Sequence, residues 1–154
     1  MPSTRTGADT ITALLATADA LLAEDPDGDG PLTPAGRARG AAYALRIALE
    51  TAVDAALAAE EAGLGGLHSM RAKLLCLQHY AGPTRARRAH ALWSRLSAAC
   101  KYHHDELGPT HAQVEAWRVA VAALVTELAA PGAAVEFPQQ RGMESSLLKE
   151  APTR

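Results

Sequence analysis

An all-α fold, a single compact bundle of about five helices followed by a mobile C-terminal tail, follows from three features of the sequence. Apolar residues recur at spacings of three and four, the periodic segments are separated by Gly- and Pro-rich breaks, and alanine supplies much of the 48% hydrophobic content. Spacings of three and four place side chains on one face of a helix, and glycine and proline stop helices. Alanine forms helix readily but offers little area to bury, so with only 4% aromatic residues the core must rely on leucines and a few large anchors. Those anchors are Trp93, Trp117, Tyr43, Tyr80 and Tyr102. Val, Ile, Thr and aromatic residues do not gather in alternating runs, which argues against strands. At 154 residues the chain fits one domain able to bury a core without staples.

The first helix is expected to start near Asp9 or Thr10, with Ile11, Leu14, Leu15, Ala18, Leu21 and Leu22 on one face, and to stop at Glu24. The turn Asp25-Pro26-Asp27-Gly28-Asp29-Gly30-Pro31 separates it from a second helix, for which Thr33 is a natural N-cap and Pro34 a natural first residue. That helix can run to about Ala62 and presents Ala38, Ala42, Leu45, Leu49, Ala52, Val53 and Ala56 inward. A shorter third helix over 67–80 carries Leu67, Met70, Leu74 and Leu77. Gly82-Pro83 breaks it from a fourth over 84–104, whose apolar face is Ala89, Leu92, Trp93, Leu96, Ala99 and Cys100. After Gly108-Pro109, Thr110 with Gln113 forms a capping-box pattern for the last helix, with Val114, Trp117, Val121, Leu124, Val125 and Leu128 inward. The helical domain is accordingly placed at 1–131 and a flexible tail, without sustained period, at 132–154.

Net charge of -2 hides a polar division of the chain. From Ala62 through His104 there is no Asp or Glu, while the same stretch holds Arg71, Lys73, Arg85, Arg87, Arg88, Arg95 and Lys101. The first half is acidic, with Asp19, Glu24, Glu50, Asp54, Glu60 and Glu61 among its residues. Internally, basic helices three and four would pair with acidic helix two, each surface pair contributing little. Externally, a cationic face would attract phosphates, which Arg grips with two donors. Arg85, Arg87 and Arg88 fall near the start of helix four, where the helix dipole favours anions rather than cations. Few aromatics are on hand for base stacking, which argues against a single-strand reader of that type.

Three motifs invite chemistry. Asp25-x-Asp27-x-Asp29-Gly30 matches the opening of a calcium loop, but Gly36 stands at the twelfth position where a bidentate Glu is needed, so an acidic inter-helix turn is the better account. Cys76-x-x-His79 and Cys100-x-x-His103 each place a thiol and an imidazole on one helix face, and two such helices could offer a tetrahedral set; core-facing thiols and ordinary histidines are the alternative. Arg85-Ala86-Arg87-Arg88-Ala89-His90 fits an Arg-x4-His pattern on a basic helix.

An α-helical bundle carrying that pattern resembles the HEPN superfamily, which includes dimeric ribonucleases and inactive nucleic-acid-associated scaffolds. The resemblance implies that Arg85 would stabilise phosphate charge and His90 would serve as acid or base, each meeting its symmetry mate in a dimer cleft. Active members usually carry a polar residue directly after the Arg, where this chain has Ala86.

Glycine-rich phosphate loops, G-x-S-x-G and H-E-x-x-H are absent from the sequence. Neither an uninterrupted apolar run of about 18 residues nor a persuasive signal peptide is present, so a cytoplasmic location without membrane contact is expected. No cofactor is expected. The leading expectation is a non-catalytic helical interaction module that forms a homodimer, because the small side chains of helix two would let another helix approach closely. A HEPN-like protein binding or cutting RNA is the alternative, with Arg85, Arg87, Arg88, Arg95 and Lys101 as its nucleic-acid contacts. It requires Arg85, Arg87, Arg88 and His90 on one open surface, and it fails if those side chains instead pair with acids of helix two. A bundle supported by metal through Cys76, His79, Cys100 and His103 is the third.

Overall fold

A computed structural model describes residues 6–23, 30–101 and 108–130. These form five α-helices and a short 3₁₀ segment, with no strand among the described residues: α1 (Gly7–Ala23), α2 (Pro34–Glu60), the 3₁₀ turn (Ala62–Gly66), α3 (Met70–Ala81), α4 (Pro83–Cys100) and α5 (His111–Ala129). The expected tail and the Asp25–Asp29 turn lie outside the described residues.

Local capping chemistry sets most helix starts. Thr6 precedes α1 and accepts the Asp9 N–H on its hydroxyl, while Asp9 accepts the Thr6 N–H in return, so the helix begins two residues earlier than its apolar period shows. Thr33 accepts the Gly36 N–H at 3.1 Å and Pro34 opens α2. At α5 the Thr110 hydroxyl accepts the Gln113 N–H at 3.2 Å and the Gln113 side chain accepts the Thr110 N–H at 3.0 Å. Gly82, at φ +87°, joins α3 directly to α4 in a conformation that suits glycine.

Further boundaries differ from the sequence expectation. The glycine-rich stretch after α2 is ordered as a 3₁₀ turn rather than as a plain stop, and α3 begins at Met70 behind Ser69 rather than at Leu67. Fourth-helix residues end at Cys100.

The core is organised around α2. Every other helix and the 3₁₀ turn pack against it, and α3 also packs on α4, α4 on α5, and α1 on α5. Leu45, Leu49, Val53 and Leu57 are fully buried along α2, and Leu77, Leu96, Val114, Val121 and Leu124 meet them from α3, α4 and α5. Burying such a side chain contributes about 1.5–3 kcal/mol. Ala41, Ala44 and Ala48 are buried in addition to the expected stripe, because α2 is enclosed on more than one side. Glycines let α1 and α2 come close: a Cβ on Gly40 would lie 3.1 Å from Leu21, and one on Gly7 would lie 4.0 Å from Ala55. Those two approaches run in opposite senses along the chain, so α1 lies antiparallel to α2. Most small residues of α2 are buried within its own chain, Ala38, Ala41, Ala42, Ala44, Ala48 and Ala52 among them, while Ala55, Ala58 and Ala59 stay exposed near its C-terminal end.

Candidate interaction surfaces

The arginines of α4 divide by face. Arg88 Nη1 donates to both carboxylate oxygens of Glu127 on α5, at 2.9 and 2.7 Å, and Arg85 Nε lies 3.8 Å from the same carboxylate. The clamp answers the dipole problem at the start of α4 with an acid from α5, not from α2. Hydrogen bonds from Arg88 hold the Glu127 carboxyl below its ordinary range, against a smaller opposing effect of desolvation, with the charges of Arg88 and Arg85 adding to them. His90 is exposed and sits five residues after Arg85. Five residues turn a helix through about 500°, which leaves the two side chains about 140° apart around α4. Arg87, Arg95 and Lys101 are exposed, and Arg87 and Arg95 have no acidic partner among the described residues.

Internal charge pairing between α2 and its basic neighbours is limited. Lys73 Nζ on α3 lies 2.6 Å from Asp54 Oδ1, Trp93 Nε1 on α4 donates to Glu50 Oε1 at 2.8 Å, and Arg46 approaches Glu50 within α2 at 3.4 Å. Outward from α2, the α3–α4 hairpin shows Arg71, Leu75, His79 and Arg87 to solvent, with no acid on either helix; Arg95, also exposed, follows Arg88 on the side toward α5. Leu75 is 63% exposed, flanked one turn away on each side by Arg71 and His79.

Cys76 and Cys100 are free and half-buried. Burial pushes the Cys100 thiol up, against Arg46 and with Glu50, which disfavours the thiolate needed for attack or metal binding. His79 is exposed and stacks edge-on against Tyr80. No group of three or more metal-binding side chains converges among the described residues. His103 and the acids Asp25, Asp27 and Asp29 lie outside them.

A crevice of about 100 Å³ opens where α2, α3 and α5 end and α4 begins, floored by Leu57, Leu77 and Leu128 and edged by Tyr80, Arg85 and Glu127. Ligand clefts run to several hundred Å³, so this one has room for a few waters rather than a nucleotide.

The solvent face of α5 is the surface that sequence reading missed. Ala112, Ala116, Val119, Ala123, Thr126 and Ala130 follow one another at alternating spacings of four and three, and all six are exposed. Val119, at 66% exposed, is its largest member. This is the seam spacing of paired helices, written in small residues. On α1 alongside, Ala13, Ala16, Ala20 and Ala23 are likewise exposed at the same alternation. Arg118 on α5 spans to Asp19 on α1 and joins the two helices. The signal was present in the sequence as an alternation of four and three, but alanine marks an exposed seam and a buried one alike.

No family model, curated protein or solved structure matches this chain. No helix among the described residues is long and apolar enough to cross a membrane.

Proposed function

We propose that this chain is a non-catalytic helical assembly module that pairs with a second copy of itself through the solvent face of α5. The observation that carries the reading is the exposed run from Ala112 to Ala130 at alternating four- and three-residue spacing, left over after α5 has buried Val114, Val121, Leu124 and Leu128 in its own bundle. Small seam residues permit close approach of two helices and contact along their whole length. An antiparallel pairing suits the composition. It sets Val119 of one copy over Ala123 of the other, Ala116 over Thr126 and Ala112 over Ala130, so each larger side chain meets a smaller one. It also places opposite helix dipoles side by side.

Sedimentation of the purified chain tests this. The wild type is expected to sediment as a dimer, and Val119→Glu or Ala123→Glu as a folded monomer. A wild type that stays monomeric at high concentration would remove the proposal.

The HEPN-like reading draws less support. Arg85 and Arg88 are engaged by Glu127, Arg85 and His90 project from different sides of α4, and what favours the reading is the acid-free α3–α4 surface. A metal-supported bundle has only the two half-buried thiols in its favour among the described residues.

A further inference from the structure

We infer that the outward face of the α3–α4 hairpin receives an acidic amphipathic helix from a partner protein, with Leu75 as the apolar contact and Arg71 and Arg87 as the charged rim. This surface is distinct from the α5 seam and does not depend on it. Three observations converge. First, neither α3 nor α4 carries an acid, and Arg71 and Arg87 have no acidic partner among the described residues, so the face is unneutralised. Second, Leu75 stands 63% exposed in the middle of α3, between Arg71 and His79. Third, the exposed face of α4 carries small residues, Ala91, Ser94 and Ala98, alongside His90.

The hairpin geometry sets these groups at matching heights. α3 and α4 pack together and are joined through Gly82 alone, so they run back along one another. Leu75 lies seven residues before Gly82 and His90 eight after it, about 10–12 Å from the turn in each case. His90 therefore stands at the height of Leu75, and the small Ala91 and Ser94 beyond it leave room for an incoming helix; helix-in-groove recognition uses an apolar anchor with charges at its edge.

Charge alone would suit any polyanion; the leucine decides the class. A phosphate backbone offers an isobutyl group nothing to pack on, and the hairpin's aromatic rings are engaged: the indole of Trp93 donates to Glu50, the Tyr80 hydroxyl to Glu61, and the His79 and Tyr80 rings meet edge-on. A helix with leucines on one face and glutamates beside them satisfies both features.

The test is fluorescence anisotropy of the full chain with a labelled synthetic helix, leucines on one face and glutamates on the other. Its comparators are a polyglutamate peptide of equal length and an RNA duplex of about 20 base pairs, each at low and moderate salt. Saturable binding of the Leu/Glu helix is expected, weakened about tenfold by Leu75→Ser and at least that much by Arg71→Glu or Arg87→Glu. Val119→Glu should bind it as tightly as wild type, which separates this surface from self-pairing. Absence of saturable binding overturns the inference. So does polyglutamate binding that ignores Leu75→Ser. A preference for the duplex, with steep salt dependence and no effect of Leu75→Ser, would assign the face to nucleic acid instead.

Discussion

Arg118 on α5 holds Asp19 on α1 with two parallel hydrogen bonds, Nε to Oδ1 and Nη2 to Oδ2, both 2.6 Å long. The two helices have few other contacts with each other, each resting mainly on α2. Both side chains are partly exposed, at 32% and 48%, so solvent screening limits what the pair contributes. A double-mutant cycle with Arg118→Ala and Asp19→Ala is expected to give a coupling of about 0.5–1 kcal/mol by urea unfolding. That coupling should fade at about 1 M salt, where screening acts over roughly 3 Å.

Leu49 lies at the centre of the long helix with no exposed surface. Leu49→Ala should lower stability by about 3 kcal/mol, because neighbours from several helices cannot collapse together into the space. Leu75→Ala, by contrast, removes an exposed side chain and should leave the unfolding midpoint nearly unchanged. Thermal or urea unfolding of the two variants side by side reads the contrast.

Two glycines should respond with opposite signs. Gly40 sits inside α2, and a Cβ there meets only the far end of the Leu21 side chain, at 3.1 Å. Gly40→Ala should gain a few tenths of a kcal/mol, since alanine's helix preference of about 1 kcal/mol exceeds the cost of moving one methyl. Gly82 has open space around it but φ at +87°. Gly82→Ala should cost about 1–3 kcal/mol through backbone strain at the α3–α4 joint. Differential scanning calorimetry of both variants checks the signs.

Glu127 makes the joint between α4 and α5 acid-sensitive. Arg88 holds its carboxyl below the ordinary value of 4.5, so the folded state binds its proton less readily than the unfolded chain. For a lowered carboxylate the stabilising contribution is complete above the unfolded value and is lost as pH falls through the folded one. The urea midpoints of wild type and Glu127→Gln should therefore differ by a constant amount near neutral pH. That difference should shrink as pH drops below 4.5. A difference that grows toward acid would contradict the clamp.

Much of the fold is legible locally. Thr33 with Pro34, Thr110 with Gln113, and Gly82 with Pro83 set three helix boundaries through groups only a few residues apart, and such groups meet in any context that permits a helix. The apolar periods also identified Leu45, Leu49, Leu74, Leu77, Leu96, Val121 and Leu124 as inward. The start of α1 was less visible because its cap, Thr6 with Asp9, precedes the first large apolar side chain.

Tertiary structure alone decided which neighbour each face received. Periodicity reports which side of a helix is apolar but not what covers it, and alanine is ambiguous because it suits an enclosed α2 and an exposed α5 seam equally. The acid that meets Arg85 and Arg88 came from α5 rather than α2, since ion pairing depends on proximity in space and Glu127 is 39 residues from Arg88 in the chain. Sequence by itself determined five helices, the caps of α2 and α5, and the charge division. The packing around α2 decided which arginines are clamped and which remain open, and left Val119 and Leu75 facing water, because burial is a property of the assembled bundle and not of any one helix.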